Sequence, residues 1–233
     1  MKINVQAFAF DLGGTLLEYE GLPPNWADFY GEAFNHANTA LKLNLNKLEI
    51  DTAISILKKY NPRINPREIE FSPDYIFGEA TSTWNLGNHS INEVAYCFYQ
   101  YFQKRVKVFP DAVALLKFLR AQGFKIGILT DFPTGMPEEI IRESVALLEC
   151  DIDCVLTSTG IGVRKPNSKG LETLAGAFGV TPKQIVFIGD EEKDILTARK
   201  IGAISIFINR IGIEKSFGED IQINDLSVIK DMV

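Results

Sequence analysis

Phe10-Asp11-Leu12-Gly13-Gly14-Thr15-Leu16 follows directly on an apolar run at residues 5–10. A short apolar run that ends in an acid and a glycine pair reads as a buried strand delivering Asp11 into a turn. Runs of the same kind recur at residues 125–130, 154–157, 185–188 and 203–208. Each is rich in Ile, Val, Leu or Phe, and none alternates for long. That pattern fits strands buried on both faces of a parallel sheet.

Helical patterns lie before and between the last four runs. Val113, Leu116 and Leu119 precede the second, and Ile141, Val145 and Leu148 follow it at i, i+4 and i+7. Leu171, Leu174, Ala175 and Phe178 share one helical face, and Gly179 offers a C-terminal stop. Thr181-Pro182-Lys183-Gln184 reads as an N-cap, a first-turn proline and a capping-box Gln. Strands alternating with helices give an α/β, doubly wound domain.

The first two strands are separated by far more chain than one crossover helix needs. Helical patterns at residues 26–41, 47–60 and 91–106 fill that interval, with loops marked by Pro62, Pro66, Pro73, Gly78 and Gly87. The expected organisation is a core of residues 1–19 and 108–233, with a helical insert at residues 20–107.

Composition narrows the function. The chain has 233 residues and a formal net charge of −6, without the basic patch of a nucleic-acid binder. Cys97, Cys150 and Cys154 form neither a disulfide framework nor zinc-like spacing and read as buried free thiols. No apolar run is long enough to span a bilayer and no signal pattern opens the sequence, so the default expectation is a cytoplasmic protein with no membrane or nucleic-acid partner. Nothing in the sequence separates a monomer from a homodimer.

Four pieces of chemistry line up in chain order. Asp11 ends the first strand and Thr130 the second. Lys165 lies in Gly162-Val163-Arg164-Lys165-Pro166, and Asp190 ends the fourth strand in Gly189-Asp190-Glu191-Glu192-Lys193-Asp194. Ligands of open α/β sheets bind beyond the carboxyl ends of strands, so one crevice can collect all four.

This constellation resembles the haloacid dehalogenase (HAD) superfamily: Asp11 with Thr15, then Thr130, then Lys165-Pro166, then Gly-Asp-x-x-x-Asp. The resemblance spans nearly the whole chain, including a helical cap like the family's C1 type. It implies a Rossmann-like sheet of order 3-2-1-4-5, a Mg2+ ion and a phosphatase-like hydrolase acting on a small phosphorylated metabolite. By the resemblance, Asp11 is nucleophile and metal ligand, the Gly13 carbonyl and Asp190 are further metal ligands, Thr130 and Lys165 bind phosphate, and Thr15 and Asp194 support the site. Asp131 stands where the family commonly has Asn or Ser, so it is expected to face away or to be paired.

The family pattern D-x-D-x-T has its general acid at the position of Gly13. Glycine has no side chain to move a proton, and a positioned acid–base group is worth roughly 10²–10⁴ in rate. Three alternatives follow. Glu18 or Glu20 supplies the acid; the site binds a phosphometabolite with little or no turnover, as in a regulatory protein; or the chemistry is phosphonatase-like, with a cap lysine among Lys42, Lys47, Lys58 and Lys59. Poor leaving groups suffer most from the loss, whereas acyl phosphates and nitrophenyl phosphate need little protonation. Phe77, Trp84, His89, Tyr19 and Trp26 are candidate substrate contacts, with ordinary packing as their plainer role.

Overall fold

A computed structural model describes residues 3–212 and 214–233. In chain order its elements are β1 (Ala7–Phe10), β2 (Leu17–Tyr19), α1 (Tyr30–Leu41), α2 (Lys47–Tyr60), α3 (Pro73–Ala80), α4 (Ile91–Gln103), β3 (Val106–Val108), α5 (Pro110–Ala121) and β4 (Lys125–Thr130). They continue with α6 (Glu138–Ala146), β5 (Cys154–Thr157), α7 (Ser158–Ile161), α8 (Lys169–Phe178), β6 (Ile185–Gly189), α9 (Glu192–Ile201), β7 (Ile204–Ile208) and β8 (Ile221–Ile223). The chain divides into two compact units. One contains residues up to Glu18, Lys107–Asp131 and Leu147–Val233; the other contains Tyr19–Val106 and Phe132–Ala146.

The first unit is built on a six-stranded sheet of order β5-β4-β1-β6-β7-β8, and its pairings are parallel. The expected five-strand order is present, with β8 added at the edge. Alternation along β1 sends Ala7 and Ala9 to one face and Phe8 and Phe10 to the other, and all four are fully buried. The Ala7–Ala9 face meets Leu129, Leu171, Leu174, Phe187 and Ala198. Small residues on the central strand leave room for α8, while Phe8 packs edge-on against Phe124 on the other face. Gly179 ends α8 in the left-handed conformation. Gln184 accepts the Thr181 N–H through its side chain at 3.0 Å, closing the turn before β6.

The second unit is helical. Phe34, Phe77, Trp84, Phe98 and Phe102 are buried at its centre, with Phe34 and Phe98 rings 4.6 Å apart. Asn46 and Ser90 cap α2 and α4, each in a reciprocal box with Glu49 or Glu93. The helical pattern at 91–106 stops at Gln103, and Val106 pairs instead within the small β2–β3 sheet. α3 lies where the sequence suggests a loop. Its start carries a proper signal, Ser72 accepting the Tyr75 N–H with Pro73 in the first turn. Residues 132–146, assigned from sequence to the core, group with the helices. Tyr30 donates to Thr134 Oγ1 at 3.3 Å, Tyr99 donates to the Thr134 carbonyl, and Gln103 Nε2 donates to Ser144 at 3.1 Å.

Candidate active site

The register of the sheet places the site. Phe10 sits opposite Ile128 of β4 and Ile188 of β6, so Asp11, Thr130 and Asp190 all emerge at the same carboxyl edge of the sheet. The Asp11 N–H still donates to the Ile188 carbonyl at 2.8 Å, which fixes the backbone that carries its carboxylate. Beyond it the chain turns back tightly: the Leu16 and Leu17 N–H groups both donate to the Leu12 carbonyl, and the Gly14 N–H donates to the Leu17 carbonyl at 2.7 Å.

Lys165 is the centre of the cluster. Its Nζ lies 2.7 Å from Asp11 Oδ1 and 2.7 Å from Asp194 Oδ1, and donates to the Leu129 carbonyl at 3.2 Å. Its side chain is 1% exposed. Burial opposes its charge, but the carboxylates of Asp11, Asp194 and Asp131 more than offset that and hold it protonated. Asp194 Oδ2 also accepts the Glu191 N–H, so the same carboxylate caps α9. Thr15 Oγ1 donates to Asp190 Oδ1 at 3.0 Å. Burial, then the neighbouring Asp11 and Asp194, push the Asp190 carboxyl well above the usual carboxylate range.

Two glycines make room for these acids. Gly14 has φ +82°, and a Cβ there would collide with the Asp190 carboxylate. A Cβ at Gly189 would collide with Asp194. Gly13 differs: its φ is outside the left-handed region, and an added Cβ meets nothing within 4 Å beyond its chain neighbours.

Asp131 is buried and paired. Its Oδ1 accepts the Lys165 N–H at 3.0 Å, and its Oδ2 lies 3.2 Å from Lys193 Nζ and 3.9 Å from Arg164 Nη2. Burial alone would raise its pKa; Lys193, Lys165 and Arg164 overcome that and lower it. The extra acid therefore fastens the Lys165 loop to α9. Of the two expectations for Asp131, facing away or being paired, the structure shows the pairing, and its partner Lys193 carries no signal for it in the sequence.

The carboxylates of Asp11, Asp190 and Asp194 can each offer an oxygen, all within 4.8 Å of one another. With Asp131 and Glu191, five acids here face three basic side chains, Arg164, Lys165 and Lys193. Hard oxygen donors, surplus negative charge and glycines that leave space for the carboxylates suit a divalent cation such as magnesium.

A model of the haloacid dehalogenase-like hydrolases matches residues 5–202. The chain belongs to that family. Among relatives, it is 35% identical over 107 residues to the glyceraldehyde 3-phosphate phosphatase of Methanopyrus kandleri, a match covering 45% of each chain. It is 35% identical over 95 residues to the phosphoglycolate phosphatase of Rhodospirillum rubrum, covering 41% of this chain and 39% of the relative. These matches thus span half or less of the relatives' length. The HAD phosphatase structure from Thermococcus onnurineus superposes with TM-score 0.65 at 23% identity, covering 99% of this chain and 97% of the other; that likeness concerns the fold.

The remaining sequence candidates have other neighbours. Glu18, with a side chain 42% exposed, faces Lys107 at 4.0 Å. Glu20 is exposed, and its N–H donates to the Arg105 carbonyl. Trp26 stacks on Phe102 and meets Tyr19 edge-on, Phe77 and Trp84 pack on Phe34, and His89 lies 3.7 Å from Glu93. Packing accounts for these aromatics. No helix among the described residues is long and apolar enough to cross a membrane.

Proposed function

We infer that this HAD-family chain is a magnesium-dependent phosphohydrolase acting on a small phosphorylated metabolite. The observation that carries the reading is the buried Asp11–Lys165–Asp194 bridge, with both N–O distances at 2.7 Å, beside Asp190 at the carboxyl edge of the sheet. The phosphatase relatives support the substrate class.

In this reading Asp11 is the nucleophile. A free oxygen of its carboxylate bonds to phosphorus as the bond to the leaving-group oxygen breaks, and water later cleaves the aspartyl phosphate. Lys165 balances the charge of Asp11 and of the incoming phosphoryl group, and Asp194 keeps its ammonium in place. Thr130, buried at the end of β4, donates its hydroxyl to a phosphoryl oxygen. Asp11, Asp190 and the Gly13 carbonyl would hold magnesium, with Thr15 orienting Asp190; the ion would supply charge neutralisation for the phosphoryl group there.

Gly13 leaves the leaving group without a proton donor from that position, which favours substrates whose leaving groups depart as stable anions. A phosphonatase-like route draws no support from the cap lysines. Lys42, Lys47, Lys58 and Lys59 are all exposed, and Lys59, bonded to Glu79 at 2.8 Å, is held more firmly protonated. A Schiff-base lysine needs the opposite shift. A binding protein with little turnover is the remaining rival. Steady-state hydrolysis of nitrophenyl phosphate, with and without magnesium, decides between them. Magnesium-dependent turnover that Asp11→Asn abolishes supports the enzyme; turnover indifferent to Asp11→Asn removes Asp11 as nucleophile; phosphate binding without turnover favours the rival.

A further inference from the structure

Thr15 is gripped from two sides. Its hydroxyl reaches Asp190, and its main-chain carbonyl accepts from Arg210 Nη2 at 2.8 Å. Arg210 stands two residues past β7. Its guanidinium forks onto Asp111 in the first turn of α5, Nη1 to Oδ2 at 2.9 Å and Nη2 to Oδ1 at 3.1 Å, and lies 3.7 Å over the Phe109 ring. Asp111 is itself fixed, because its Oδ2 accepts the Leu226 N–H at 2.9 Å. The side chains of Arg210 and Asp111 are only 16% and 12% exposed. The Phe109 N–H holds the next carbonyl, that of Leu16, at 3.1 Å.

We propose that Arg210, locked by Asp111, is a positioning residue for the turn that presents the Gly13 carbonyl and Thr15 to the metal site. A bidentate arginine–carboxylate pair is among the more rigid ion pairs available to a protein. One of its N–H groups donates to the main-chain carbonyl of Thr15, the residue whose hydroxyl reaches Asp190. The path is short and continuous: Asp111, Arg210, Thr15, Asp190. Arg210 touches no predicted ligand, so it acts through the turn. Partners one step removed from metal ligands, the place Thr15 takes, typically contribute about 10–100-fold to metal affinity; Arg210 stands one step further out and contributes less. The inference rests on the magnesium reading above.

The test uses the whole chain and two readouts. Magnesium binding is measured by titration calorimetry for the wild type, Arg210→Gln and the isosteric Asp111→Asn. Amide exchange across residues 13–17 is measured without metal, where the Gly14, Leu16 and Leu17 amides report on the turn. We expect a dissociation constant weakened by up to about 10-fold in Arg210→Gln, the lower end of what a direct ligand partner contributes, a smaller loss in Asp111→Asn, and faster exchange in both while the sheet amides keep their protection. Wild-type affinity and wild-type exchange in a folded Arg210→Gln protein would overturn the proposal. If that variant does not fold, unchanged affinity and exchange in Asp111→Asn overturns it equally. A wild type that binds no magnesium defeats the metal reading; unaltered turn exchange defeats the grip of Arg210 separately.

Discussion

Gly13→Asp adds a carboxyl at a position the backbone already admits. The φ at Gly13 lies outside the left-handed region, and the first side-chain atom enters open space. Reactivity should change far more than structure. A positioned acid–base group contributes roughly 10²–10⁴ in rate, and each factor of ten is about 1.4 kcal/mol of barrier, so the variant is asked to supply about 3–5 kcal/mol. The gain falls unevenly. A sugar-type alkoxide must be protonated as it leaves, whereas nitrophenolate departs almost unaided. The assay is kcat/KM with magnesium for a series of phosphate monoesters ordered by leaving-group pKa, in wild type and variant. Alkyl phosphates should gain by about 10²–10⁴ and nitrophenyl phosphate by much less, so the dependence on leaving-group pKa flattens. Gly14→Ala is the control in the other direction, since its Cβ would collide with Asp190 and magnesium binding should suffer. A folded, magnesium-binding Gly13→Asp protein with no gain on alkyl phosphates would refute the reasoning, as would a wild type already insensitive to leaving-group pKa.

Lys165→Met removes the cation between two buried carboxylates, 2.7 Å from each. Breaking a buried pair in this way costs about 3–5 kcal/mol, so urea unfolding without metal should show a loss of that order, and an unchanged midpoint would contradict the charge balance described. Asp153 accepts the Ile126 N–H at 2.8 Å and pairs with Arg120 at 3.0 Å. Burial pushes its carboxyl up, but the Ile126 N–H and Arg120 prevail and hold its pKa below the usual value. Its contribution is complete above the unfolded pKa of about 3.9 and lost as pH falls through the lower folded value. The stability gap between wild type and Asp153→Asn, followed by unfolding at a series of pH values, should be steady near neutrality and narrow below about pH 4. Ser90→Ala removes the cap of α4, whose Oγ accepts the Glu93 N–H at 3.1 Å; a loss of about 1 kcal/mol is expected, and one near zero would mean that the aromatic packing of α4 alone sets its stability.

Four of the five expected core strands were legible because burial on both faces leaves an apolar run; β5, expected to be buried likewise, is an edge strand with Val155 exposed. Asp11 and Asp190 were legible because each directly follows such a strand. Short elements were not. β8 is three residues with Gln222 in the middle, and nothing in its composition distinguishes it from a loop; β7 beside it supplies the pairing that makes it a strand. The placement of residues 132–146 was also hidden, because Thr134 and Ser144 join the helical unit through hydrogen bonds to residues far away in sequence. Long-range polar partners escape periodicity arguments altogether. Asp111 and Arg210 are 99 positions apart, and each by itself reads as a surface charge.

The glycines of the site show where physical reasoning must take over from pattern. The family pattern singles out Gly13 but says nothing of what the backbone needs there or at Gly14, and Gly189 is a strand-end glycine like others. In the structure Gly14 and Gly189 are sterically required, because carboxylates occupy the space that side chains would take. Gly13 is required by neither its φ nor its neighbours. A glycine that the fold demands says nothing about chemistry. A glycine that the fold does not demand, two residues from Asp11, the proposed nucleophile held by Lys165, bears directly on it. Stability gives no reason for a side chain to be absent at position 13, so the consequence of its absence must be sought in turnover and leaving-group selectivity.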